Sequence, residues 1–169
     1  MAVRPDPDIG FRRPGDHLRT ERLVERRVFV QASPRQVWAT LHDPAAMTAF
    51  FPEVRLGPAG PSWPAAATTR TASARVGLLR ESARVESLEA RPDSVFRLRV
   101  SASGFESEWA WRLEPVAGGT RVIHAASFEP NDRWADLLVR LGRRPLAARV
   151  EAHLRALKER AERSRLTPD

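Results

Sequence analysis

VFVQASPRQVW, residues 28–38, holds the end of a strand, a turn and the start of a helix in one short run. From Leu23 the chain alternates: Val24, Arg26, Val28 and Val30 fall on one face, and Arg27, Phe29 and Gln31 on the other. That period of two predicts a strand. Ser33-Pro34-Arg35-Gln36 follows at once. It offers a hydroxyl at the N-cap, proline at the first helical position and glutamine at the third, the composition of a capping box. Val37, Trp38 and Leu41 then share one side of the predicted helix. Asp43-Pro44 repeats the cap-plus-proline logic, stopping this helix and starting a second short one that runs through Met47 to Phe50 and ends at Phe51-Pro52.

Outward from this stretch the pattern is simple. Residues 1–22 are rich in Pro, Asp, Arg and Gly without a period, and are read as an irregular arm. GPAGPSWP, residues 57–64, is a loop by composition. Five strands are predicted after it, at about 67–76, 79–89, 95–103, 105–114 and 120–128. Their separators (Gly77, Arg91-Pro92-Asp93, Gly104 and Gly118-Gly119) are too short for crossovers, so neighbours must be antiparallel. Residues 131–163 read as a helix. Trp134, Leu137, Leu138 and Leu141, then Leu146, Val150, Leu154 and Leu157, form its apolar stripe, with a kink expected at Gly142 and Pro145. The class is α+β: one domain over 23–163, a tail at 164–169, and a curved antiparallel sheet gripping a long C-terminal helix.

The whole chain has 169 residues, 28 Lys+Arg against 21 Asp+Glu, and no cysteine. Disulfides, thiolate nucleophiles and Cys-ligated metals are therefore excluded, and the four histidines lie too far apart for a short ligand motif. No metal or cofactor is implied. No apolar run reaches the ~18 residues of a membrane span. The charged N-terminus lacks the apolar core of a signal peptide, which makes the cytoplasm the expected compartment. The +7 charge is concentrated in residues 131–169, with 10 basic and 6 acidic side chains. Glutamates interrupt those arginines at helical spacing, as in Glu151–Arg155 and Glu159–Arg163. This describes a solvated helix face and argues against nucleic acid as a partner.

Alternation also assigns the sheet faces. Phe105, Ser107, Trp109, Trp111 and Leu113 share the inward face of one strand. Phe96, Leu98 and Val100 share that of the strand before it, and Val122, His124, Ala126 and Phe128 that of the last. Arg97 and Arg99 point outward. Glu81 and His124, with Arg70 if Ala72 and Ala74 face inward, are then ionisable groups on an apolar face. A buried carboxylate needs a partner, and Arg70 is the expected one for Glu81. An ion pair fixing strand register and a hydrogen-bonded core histidine are the ordinary structural readings of these residues.

The stretch 28–38, with Asp43-Pro44, Arg80-Glu81, Gly118-Gly119-Thr120-Arg121-Val122 and the long terminal helix, resembles the START-like and birch-pollen-allergen-like superfamily (SRPBCC) over about residues 23–163. Within it the chain is most similar to the polyketide cyclase/dehydrase and lipid-transport family. The resemblance implies a helix-grip fold and a cavity for a hydrophobic small molecule between sheet and helix. Phe96, Leu98, Trp109, Trp111, Phe128, Trp134, Leu138 and Leu141 are its expected lining, with Phe50, Phe51 and Trp63 at the mouth. A binding or carrier protein for a lipid- or polyketide-like molecule is the favoured reading. The alternative is an aromatase/cyclase, with His124 as base, Arg70 steadying an enolate oxygen and Glu81 orienting either. Nothing in the sequence fixes the oligomeric state.

Overall fold

The computed structural model describes residues 23–43, 54–76, 79–102, 105–130 and 143–165. Seven strands form one sheet: β1 (Leu23–Val30), β2 (Val54–Leu56), β3 (Thr69–Val76), β4 (Leu79–Arg91), β5 (Val95–Ser101), β6 (Phe105–Val116) and β7 (Gly119–Pro130). Their order is β1-β7-β6-β5-β4-β3-β2, every pair being antiparallel. The sheet curls into a half-barrel. Among the described residues, α1 (Pro34–His42) and α2 (Arg143–Arg165) supply the helices of the helix-grip arrangement. The second short helix expected after Asp43, and residues 131–142 of the expected C-terminal helix, lie outside the described residues.

The cap of α1 forms as the sequence predicts. Ser33 Oγ accepts from the Gln36 amide, and Gln36 Oε1 accepts from the Ser33 amide at 3.0 Å. Val37, Thr40 and Leu41 are the buried face. Ser33→Ala removes one arm of the box. It is expected to cost about 1 kcal/mol, which for a chain of this size lowers the thermal midpoint by about 3 °C; differential scanning calorimetry reads this directly.

The β6–β7 hairpin closes on Ala117-Gly118, where Gly118 takes a positive φ that glycine adopts without steric cost. Gly119 is demanded by proximity instead, because a Cβ there would overlap the Val30 carbonyl oxygen. The Thr120 hydroxyl then donates to the Ala32 carbonyl at 2.7 Å, tying the strand–helix turn to β7.

β4 carries a feature the alternation does not predict. Its register with β5 shifts between Ser87 and Glu89, leaving Leu88 as an extra residue. Unbroken alternation from Val85 and Ser87 would place Glu89 on the concave face. The shift turns it outward, where it meets Arg91 at 2.7 Å and Arg97 at 3.6 Å. These pairs belong to a cross-strand ladder over the convex face. Arg97 and Arg99 both reach Glu108, Arg99 also reaches Glu106, and Arg112 and Arg121 reach Glu114.

α2 lies across β1 and β7 and against α1. Val150, Leu154, Leu157 and Ala161 are its buried stripe. Polar ties hold its flank: Arg26 to Glu151 at 2.7 Å, Lys158 to the Phe29 carbonyl at 2.8 Å, Glu162 to the Gln31 amide at 2.8 Å, and Arg160 to Asp43 at 2.7 Å. No helix among the described residues is long and apolar enough to cross a membrane.

Candidate functional site

Register places the aromatic residues of three strands side by side on the concave face. Phe96 on β5 faces Trp111 on β6, and Trp111 faces His124 on β7. The rings stack in that order: Phe96 and Trp111 are 5.7 Å apart, Trp111 and His124 4.4 Å apart and nearly parallel. Trp109 lies against the imidazole at 5.7 Å, and its own Nε1 donates to Ser107 Oγ at 3.0 Å. From the other side Phe96 meets Trp38 and His42 of α1 and Trp63 of the loop before β3.

Exposure divides this surface in two. Phe96, Trp111 and His124 are closed off, at 2%, 3% and 0% exposure. Trp63, Arg70, Ala83, Val100 and Trp109 are only half-buried. The closed row is core; the half-buried strip keeps part of its surface exposed.

His124 is held by its Nδ1, which donates to the Ala110 carbonyl at 3.0 Å, while its Nε2 is buried with no hydrogen-bond partner. Burial pushes its pKa down to about 3, reinforced by the nearby His153 and only partly opposed by the Ala110 carbonyl. The ring is therefore neutral at physiological pH and carries its proton on Nδ1. His42 repeats the design on α1: its Nδ1 donates to the Trp38 carbonyl at 2.9 Å, and burial lowers its pKa.

Arg70 sits on the concave side of β3, opposite Val85. Glu81 is opposite Ala74, four residues further along β3. Four residues span about 13 Å of strand, so the register does not set Arg70 and Glu81 beside one another. The Arg70 guanidinium instead donates through Nη2 to the Gly57 carbonyl and lies over the Trp63 ring, 5.2 Å from its centroid. Burial lowers its pKa from the ordinary arginine value. The side chains of Glu81 and Phe128 lie outside the described residues, as do Phe50, Phe51, Trp134, Leu138 and Leu141 entirely. Leu98 is buried beside Trp109 in the β5–β6 register.

Ser87 is an anchor that sequence reasoning missed. Fully buried, it donates its hydroxyl to the Pro64 carbonyl at 2.7 Å, while its backbone bonds Ala67 and Thr68. It thereby holds the Trp63 loop onto the sheet. The only signal was a small hydroxyl residue at an inward position of β4. Among the described residues, no group of three or more His, Cys, Asp or Glu side chains is placed to hold a metal ion.

A family model described as polyketide cyclase / dehydrase and lipid transport matches residues 21–162. No curated protein matches the sequence. Among solved structures, a protein from Chromobacterium violaceum superposes with a TM-score of 0.67 at 14% identity, covering 88% of this chain and 99% of its own. The aromatase/cyclase Zhui from Streptomyces sp. R1128 gives 0.60 at 23% identity, covering 84% and 94%. Ara h 8.0201 gives 0.59 at 9% identity, covering 82% and 96%. These likenesses concern the fold.

Proposed function

Since the chain belongs to the polyketide cyclase/dehydrase and lipid transport family, we propose that it holds a hydrophobic or aromatic small molecule against the concave sheet face, without transforming it. The observation that carries this reading is the half-buried strip of Trp63, Ala83, Val100 and Trp109 beside a closed aromatic core. Apolar surface in a concavity gains about 25 cal/mol for each Å² covered. Two indoles facing that strip suit a flat ring system or an alkyl chain. α2, lying over β1 and β7, is the neighbouring wall.

The cyclase alternative has its own support in the likeness to Zhui. An aldol-type closure needs a base whose pKa lies near the working pH. A fully enclosed imidazole with a pKa of about 3 is a poor proton acceptor at neutrality. The same ring is well suited to stacking behind the indoles, which favours the binding reading.

The test uses an uncharged aromatic probe, methyl 2-naphthoate, titrated into the full chain while tryptophan fluorescence is followed. Saturable quenching is expected, with Trp109→Ala weakening it about tenfold, the loss of roughly 1.4 kcal/mol of ring contact. Absence of saturation, together with native mass spectrometry showing no co-purifying molecule, would count against binding. His124→Ala abolishing turnover of a candidate polyketide while sparing its binding would favour the cyclase instead.

A further inference from the structure

Arginines on the two faces of the sheet are treated differently. On the convex side Arg97, Arg99, Arg112 and Arg121 each meet a glutamate. On the concave side Arg70 meets no carboxylate among the described residues, where its guanidinium donates to the Gly57 carbonyl. A guanidinium has five N–H donors; the Arg70 Nε is buried without a hydrogen-bond partner, as are those of Arg99 and Arg112, so what sets Arg70 apart is the missing carboxylate. One face of the group is covered by the Trp63 ring. Both partners hold the cation in place, and neither neutralises it. Trp63 is itself fixed by the loop that Ser87 anchors and by its edge-on contact with Phe96.

We propose that Arg70 is an anion receptor at the end of the apolar strip, and that the ligand of this protein is an amphiphile ending in a carboxylate. The inference rests on the binding reading above and adds the ligand's charge and polarity. A planar carboxylate matches the guanidinium fork and takes two parallel charge-assisted hydrogen bonds. Its apolar body would run from Arg70 over Ala83 and Val100 towards Trp109. A single negative charge suits this position better than a phosphate dianion, because among the described residues of this strip Arg70 is the one cation that could offset the desolvation of a second charge.

The experiment compares three probes with one ring system on the full chain: 2-naphthoate, its methyl ester and 2-naphthyl phosphate. Calorimetric titration is expected to show the carboxylate binding at least tenfold more tightly than the ester. Arg70→Gln should abolish that preference, weakening the acid about tenfold and leaving the ester within twofold. Equal affinity of acid and ester for the unaltered protein overturns the proposal while leaving the binding reading intact. An Arg70→Gln variant that loses both probes alike overturns it too, since the side chain would then be structural. Tighter binding of the phosphate than of the carboxylate overturns the assignment of ligand class. Failure of all three probes to bind removes the binding reading along with this one. Should Arg70→Gln not fold, the acid–ester comparison on the unaltered protein decides alone.

Discussion

Phe96→Ala is expected to cost about 3–5 kcal/mol, the range for emptying a phenylalanine site in a packed core. This ring is the joint of the interior. It receives Trp38 and His42 from α1, Trp63 from the β2–β3 loop and Trp111 from β6, all with ring centroids 4.6–6.3 Å away. Three separate pieces of chain therefore lose a partner at once, and the indoles are too large to collapse into the space. Phe96→Leu keeps most of the volume and should cost less than about 1.5 kcal/mol. Urea unfolding followed by circular dichroism separates the two. A loss below about 1.5 kcal/mol for the alanine variant would show that the ring does not join α1 to the sheet. Against a total stability of about 5–15 kcal/mol, the expected loss brings the domain close to unfolding.

The reach of the sequence is clearest around this same residue. Alternation in β5, β6 and β7 placed Phe96, Trp111 and His124 on one face, and the strand register sets them in one row. The capping box at Ser33 and a turn at Gly118-Gly119, one residue beyond the observed Ala117-Gly118, were legible for a similar reason: both are local chemistry, written in consecutive residues. Three things were not legible. β2 has only three residues, too few to show a period. The shift at Leu88 reverses the faces of β4 and is accompanied by a contact no local pattern reveals, that of Glu89 with Arg97 on the next strand. The register does not set Arg70 and Glu81 opposite one another, because inward direction alone does not say how far apart two inward residues are along a hairpin. Exposure was beyond the sequence as well. Trp109 and Trp111 share a face and a residue type, yet one borders the half-buried strip and the other is sealed.

Acid should destabilise this protein through His124 well before that histidine is protonated in the fold. Its folded pKa is about 3, against 6.5 for an exposed histidine. Between those values the unfolded chain binds a proton that the folded chain does not, so stability rises with pH throughout that window. The loss begins near pH 6.5 and grows by about 1.4 kcal/mol for each unit below it, reaching roughly 3 kcal/mol by pH 4.5. His42, with its pKa lowered by burial, acts in the same direction. The control is His124→Phe, which keeps a ring against Trp109 and Trp111 but cannot titrate. Near neutrality it will be the less stable of the two, because the Ala110 carbonyl loses the donor it has at 3.0 Å. What matters is the slope: between pH 7.5 and 4.5 its urea midpoint should move far less than that of the unaltered protein. Equal slopes would mean that the imidazole takes up its proton at an ordinary pH and is not sealed between the indoles. That outcome would also restore His124 as a base available near neutrality, and with it the case for cyclase chemistry.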